Sequence, residues 1–267
     1  MCIQIMEIKI YQIDAFTNKV FSGNSAAVCP LTSWISDEIM QKIAMENNLS
    51  ETVFYVKKDN QYEIRWFTPT MEIDLCGHAT LAAAYVLFNF ENYSSDVVHF
   101  YSPRSGALSV SKKDDLFTLN FPTDTITETT LTNEILACFN TTPIAVYKGR
   151  TDYMIVFETE EQIKHIVPNF EEITKLKSRG VIITAKGNQV DFVSRFFGPQ
   201  SGINEDPVTG SAHTTLTPYW AEKLNKKELT AIQLSTRQGF LQCKLLNDRV
   251  EISGKGKLYL IGEIYLE

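Results

Sequence analysis

Arg65-Trp66-Phe67-Thr68-Pro69, with Gly77 eight residues past its proline, recurs as Arg195-Phe196-Phe197-Gly198-Pro199, with Gly210 eleven residues past its own. Each pentapeptide ends a stretch of strand character, and each is followed by a polar loop and a glycine opening a helix. The two copies are offset by about half the chain, the pattern left by an internal duplication. Two similar halves are therefore predicted.

Working outward, alternation over Ile8 to Ile13 predicts a first strand, and Gly23-Asn24 a turn before a short strand, Ala26 to Cys29. Ser36-Asp37-Glu38 reads as a helix start running to Asn47-Asn48. Glu51 to Val56 and Tyr62 to Phe67 read as a hairpin, and Ala79 to Phe90 as a strongly apolar helix. Further strands end at Phe121; Pro122 to Thr130, Thr-rich and poor in apolar residues, is the expected domain linker. In the second half, helices are expected after Thr132 and after Thr159, where Thr159-x-x-Gln162 has the form of a capping box. Strands are expected at Tyr153 to Phe157, Val181 to Thr184 and Val190 to Phe197. A helix follows from about Ser211, with Pro218 inside it, where a missing N–H should kink or interrupt it. Strands around Gln233, Leu241 and Val250 turn at Asn247-Asp248, and Leu258 to Leu266 is placed to return to the first domain.

Composition restricts the function. Of 267 residues, 44% are hydrophobic and 21% charged, ordinary for a globular chain, and a net charge of −7 argues against general binding to phosphate backbones. Cys2, Cys29, Cys76, Cys138 and Cys243 lack a C-x-x-C pair, and none of the four histidines has zinc-finger spacing to them, so no metal is expected. The cysteines read as buried thiols of a reducing compartment. Met1 to Met6 is too short and too soon charged for a secretory leader, and no run is long enough to span a bilayer, so a cytoplasmic location is expected.

Small residues at Gly77-His78-Ala79-Thr80 and at Gly210-Ser211-Ala212 would let a ligand approach two helix starts closely. Such starts carry N–H groups without intrahelical partners and a partial positive charge. A pair of them suits a carboxylate or a developing enolate, and hence proton abstraction beside a carbonyl without metal or organic cofactor.

Four motifs occur in a recognisable order: Gly23-Asn24-Ser25-Ala26-Ala27-Val28, Ser50-Glu51-Thr52-Val53-Phe54, Cys76-Gly77-His78-Ala79-Thr80 and Glu205-Asp206-Pro207-Val208-Thr209-Gly210-Ser211-Ala212-His213. In them the chain resembles the PhzF (phenazine-biosynthesis-like) family from about Ile8 to the C-terminus. The resemblance implies an α+β fold of two diaminopimelate epimerase-like domains, each a strongly curved, mostly antiparallel sheet around a central helix, related by a pseudo-twofold axis. The active site is implied between them. The domains would be 1–121 with about 257–267, and 122–256.

The resemblance also implies that Glu51 transfers the proton, with His78 and Asp206 as the other polar catalytic residues. Substrate binding would fall to Asn24, Cys76, Gly77, Thr209, Gly210 and Ser211. His213 has no clear role. Racemases of the diaminopimelate epimerase type use two opposed thiols; here the counterpart of Cys76 is Thr209, whose hydroxyl is far too weak an acid. The expectation is a cofactor-independent isomerase using one carboxylate on a small anionic metabolite, working as a homodimer. The alternatives are an amino-acid or hydroxy-acid racemase or epimerase and a non-catalytic binding protein on the same fold.

Overall fold

The computed structural model describes residues 6–266. Cys2, expected as a buried thiol, and residues 1–5 of the amino-terminal apolar stretch lie outside them. The chain divides into two compact units, 6–120 with 254–266, and 121–253.

Unit 1 runs β1 (Met6–Ala15), β2 (Asn24–Leu31), α1 (Asp37–Asn47), β3 (Glu51–Lys58), β4 (Gln61–Phe67), β5 (Glu72–Ile73), α2 (Gly77–Phe90), β6 (Val97–Ser102), β7 (Gly106–Lys113) and β8 (Leu116–Pro122). Unit 2 runs β9 (Thr127–Glu128), α3 (Asn133–Ala137), β10 (Ala145–Lys148), β11 (Asp152–Val156), α4 (Glu160–His165), α5 (Phe170–Lys175), β12 (Gly180–Lys186), β13 (Phe192–Gly198), β14 (Ile203–Asp206), α6 (Ala212–Leu224), β15 (Glu228–Gln233), β16 (Gly239–Leu246) and β17 (Arg249–Gly254). The chain then returns to unit 1 as β18 (Gly256–Leu266), antiparallel to β1.

The strand pairings repeat. In unit 1, β1–β2 is antiparallel, β2–β3 parallel, β3–β4 and β4–β5 antiparallel, β4–β6 parallel, and β6–β7 and β7–β8 antiparallel. In unit 2, β10–β11 is antiparallel, β11–β12 parallel, β12–β13 and β13–β14 antiparallel, β13–β15 parallel, and β15–β16 and β16–β17 antiparallel. Even the added strand is shared: β18 pairs with β1, and β9 with β10. The duplication read from one pentapeptide therefore extends through the whole pairing scheme.

α2 is apolar on every face, and His78 to Ala84 are all buried. A helix with no polar face must be surrounded. Strands β1, β2, β3, β7 and β18 pack on it, so the sheet has to curve round it. Its Leu81, Val86 and Leu87 are fully enclosed, each contributing roughly 1.5–3 kcal/mol. α1 begins as expected, with the Ser36 hydroxyl accepting the Ile39 N–H, and sets Met40, Ile43 and Ala44 against Phe54 and Phe67. The Thr159–Gln162 capping box forms at the start of α4. In unit 2, Ile163 of α4 and Ile173 of α5 pack with Phe139, Phe157 and Phe197.

The repeated pentapeptides have a shared job. Arg65 lays its guanidinium over Phe67 and forks onto Glu72, through Nε at 2.7 Å and Nη2 at 2.8 Å. Arg195 lies over Phe197, forks onto Glu205 at 2.7 and 3.0 Å, and gives Nη1 to the carbonyls of Ile163 and Ile166 at the end of α4. A lysine could reproduce neither the fork nor the stacking. Arg195→Lys is therefore expected to destabilise the chain by about 1–2 kcal/mol in urea unfolding.

Two expectations are corrected. Pro218 does not interrupt α6, which is continuous from Ala212 to Leu224. A proline removes the N–H that would have bonded the carbonyl four residues back, here that of Thr214. The Asp124 N–H takes its place at 3.1 Å, and the Thr215 hydroxyl donates to the Asp124 carboxylate. The same contacts overturn the linker reading of Pro122 to Thr130. Thr123 is held by the Asp248 carbonyl, Asp124 by α6, and Thr127-Glu128 by β10, so the stretch is an integral part of unit 2. No helix among the described residues is long and apolar enough to cross a membrane. The four described cysteines are buried free thiols.

Candidate active site

Three local structures bring the unit 1 residues together. Gly23 adopts φ +67° and a methyl there would sit 2.1 Å from the Ala15 carbonyl oxygen, so only glycine lets the chain turn tightly enough to start β2 at Asn24. Asp14 fixes the same loop, accepting the Phe21 N–H at 2.9 Å and the Ser25 hydroxyl. Glu51 is the first residue of β3, paired beside Ala26 of β2. Cys76 is the N-cap of α2, without a side-chain capping bond, and His78 lies in the helix's first turn.

The result is a tight cluster. His78 Nε2 is 2.9 Å from Glu51 Oε2, and His78 Nδ1 is 3.2 Å from the Asn24 amide and 3.4 Å from Cys76 Sγ. Asn24, Glu51, Cys76 and His78 are all at most 6% exposed. The His78–Glu51 contact is close but out of line for a hydrogen bond on Oε2, which leaves that oxygen's lone pair available.

Protonation follows from these distances. Burial, and then the Glu51 charge, push the Cys76 thiol up to about 11, against weaker opposite pulls from His78 and the Ala79 N–H. Burial pulls His78 down, but Cys76 and Glu51 outweigh it and hold the imidazole well above its ordinary value.

Unit 2 gathers Asp206, Thr209, Gly210 and Ser211 around its own helix start. The Thr209 hydroxyl donates to Asp206 Oδ2 at 2.5 Å. Gln233 ties the loop down, its Nε2 donating to the Asp206 carbonyl at 2.7 Å and its Oε1 accepting the Thr209 N–H at 2.8 Å. Turn bonds from Ala212, His213 and Thr214 back to Thr209, Gly210 and Ser211 tighten the helix entry. Sequence reading missed Arg179, which forks onto buried Asp152 and donates Nη1 to the Ser211 hydroxyl at 3.0 Å. A lone cation ahead of a strand carries no sequence signal. Gln233, the last residue of β15, carries none either.

His213 is fully buried, bonds the Thr209 carbonyl through Nδ1 at 2.9 Å, and packs against Phe192. Burial pushes it down to about 4. It is a packed residue, neutral in the folded state. The two buried histidines thus act oppositely on stability. His78 adds stability fully present below pH ~6.5 and lost as pH rises through its raised value. For His213 the unfolded chain takes up a proton first, so stability falls as pH drops from about 6.5 to about 4. Histidine ring NMR should show one residue still protonated well above pH ~6.5 and one still neutral well below it.

The shared pairing scheme aligns the strands beside the two starts. Phe54 opposes Arg65 and Ile183 opposes Arg195, so three residues back Glu51 matches Gly180. In sequence Cys76-Gly77-His78-Ala79 reads against Thr209-Gly210-Ser211-Ala212, although α2 begins at Gly77 and α6 two residues further on, at Ala212. Unit 2 therefore lacks both the carboxylate and the thiol of unit 1. Unit 2 carries a carboxylate of its own, Asp206, but at the end of β14 and not at the position that matches Glu51.

A duplicated α+β unit wrapped on a buried helix, with a carboxylate and an imidazole at the helix start, defines an epimerase-type isomerase fold. A family model described as phenazine biosynthesis-like protein (PhzC-PhzF) matches residues 13–262. The chain belongs to that family. An uncharacterized isomerase of Pseudomonas aeruginosa is 47% identical over 261 residues, 98% of this chain and 100% of the relative. A crystal structure of an Enterococcus faecalis PhzF family protein matches with TM-score 0.95 and 48% identity, over 98% of this chain and 100% of that one. A hydroxyproline epimerase from Agrobacterium vitis shares the fold alone, at TM-score 0.61 and 10% identity over 97% and 93% of the two chains. Family and fold together make the chain an isomerase.

Proposed function

We propose that the chain is a cofactor-independent isomerase that moves a proton within a small anionic metabolite, with Glu51 as the single acid/base group. The observation that carries this is the buried Glu51–His78 contact of 2.9 Å, with glycine at the matching position of unit 2. Glu51 takes a proton from a carbon beside a carbonyl or conjugated acid. The electron pair delocalises into that system, and neutral Glu51 returns the proton to another carbon of the same molecule. The His78 imidazolium stabilises the charge that develops, and the N–H groups at the start of α2 add to it. Asp206, Thr209, Gly210, Ser211 and Arg179 are proposed to hold the ligand's polar and anionic groups. A homodimer in the cytoplasm, with neither nucleic acid nor membrane as partner, belongs to the same proposal.

A racemase could use Cys76 or Glu51 with a further partner; its two-thiol form needs a thiolate at Cys76 and a second acid. A thiol pushed up to about 11 and a threonine at the matching position disfavour both. The test is ligand-dependent hydrogen exchange in deuterated water over a panel of small carboxylates. Exchange that survives Cys76→Ala and is lost in Glu51→Gln supports the proposal; loss in Cys76→Ala with retention in Glu51→Gln supports the racemase instead.

A further inference from the structure

We propose that Glu51, Cys76 and His78 also form a three-ligand site for a thiophilic divalent cation such as Zn2+. One carboxylate oxygen, one sulfur and one ring nitrogen from these buried side chains lie within 4.8 Å of one another. Nε2 is 2.9 Å from Glu51 Oε2 and 4.0 Å from Cys76 Sγ. Zinc bond lengths of about 2.0–2.3 Å in a tetrahedron place such donor atoms roughly 3.2–3.7 Å apart. The donors are thus within reach of one cation once the His78 ring turns its Nε2 toward it. The sequence expectation of no metal rested on finger-type spacing; here Cys76-Gly77-His78 supplies two ligands from one helix start, and β3 supplies the third.

The donor set selects the ion. Sulfur, imidazole and a single carboxylate suit Zn2+ or Co2+, and are poor ligands for Mg2+ or Ca2+, which take oxygen. Asn24 supplies the outer contact: with Nε2 on the metal, Nδ1 carries the proton, and the Asn24 amide turns its oxygen to accept it. Three protein ligands leave the fourth tetrahedral position open. The thiol gives its proton to solvent as the metal–sulfur bond forms, and the imidazolium likewise, so binding releases protons and tightens as pH rises. Where the proposed function holds, a bound cation ties up Glu51 and stops exchange until a chelator removes it. That consequence rests on the functional reading; the site itself does not.

The experiment titrates the intact protein with Co2+ at mildly alkaline pH and follows the near-ultraviolet thiolate-to-cobalt charge-transfer band, then displaces Co2+ with Zn2+. A saturable one-equivalent band is expected, unaffected by excess Mg2+. Cys76→Ser should abolish the band and weaken Zn2+ binding by on the order of 100-fold, while Cys138→Ser leaves both unchanged. Glu51→Gln, which keeps the thiol, should retain a weaker band. Absence of the band, or an undiminished band in Cys76→Ser, overturns the site. A wild-type protein that binds Co2+ but exchanges no carboxylate of the panel keeps the site and removes the functional reading; Glu51-dependent exchange without cation binding does the reverse.

Discussion

Glu51→Gln is expected to slow ligand-dependent proton exchange by about 100- to 10,000-fold while leaving the fold intact. The substitution keeps the shape and the strand start and removes only the group that accepts the proton. That loss is equivalent to about 3–5 kcal/mol of transition-state stabilisation. A structural role alone would not produce it, because glutamine packs in the same volume. A second readout accompanies the rate. Without the carboxylate at 2.9 Å, His78 loses one of the two partners, with Cys76, that hold it high, and its ring titration should move down in the same variant. Loss of rate without that movement would mean that the 2.9 Å contact is not what sets the histidine's charge.

Gly23→Ala is the second large effect, and it acts on the fold. At φ +67° a non-glycine residue already costs roughly 1 kcal/mol, and the added methyl would meet backbone, the Ala15 carbonyl oxygen at 2.1 Å. Backbone cannot step aside as a flexible side chain can, so the turn must open. The register Ala15–Asn24 at the head of β2 is lost with it. A destabilisation of about 3 kcal/mol or more is expected, in the range reserved for strain at a special φ/ψ. Chemical denaturation measures it. The same variant should lose the Asn24 contact to His78, so exchange should fall even where the folded population is retained by low temperature.

Much of this was legible in the chain. The Arg65 and Arg195 pentapeptides carry their own reason for being repeated, since each arginine must meet an acid and an aromatic ring to close its strand. α2 was legible because an all-apolar helix has one solution, enclosure. Glu51, Cys76 and His78 were legible as motifs, but their mutual distances were not: Glu51 is 25 residues from Cys76, and the packing of α2 on β2 and β3 brings the strand start to the helix start.

What escaped sequence reading is either short or relational. β5 and β9 have two residues each, too few for any period to show, and six-residue α5 sits below the length at which helical spacing is distinguishable. Pro218 looked like a break because its unmet carbonyl was considered alone; its partner, the Asp124 N–H, lies in a stretch that composition marks as a linker. Arg179 has meaning only beside Asp152 and Ser211, which are 27 and 32 residues away.

The asymmetry of the two helix starts bears directly on mechanism. One start holds carboxylate, imidazole and thiol; its duplicate holds Gly180, Thr209 and Ser211 at the matching positions. A two-thiol mechanism would have required both copies to keep the thiol. The measurement that tests this most directly is isotope transfer with a turned-over carboxylate labelled with deuterium at the carbon that loses its proton, run in ordinary water. One carboxylate returning what it took predicts product carrying part of the original deuterium at its new position, by NMR or mass spectrometry. Product with only solvent hydrogen, and inverted configuration at the original carbon, would contradict it.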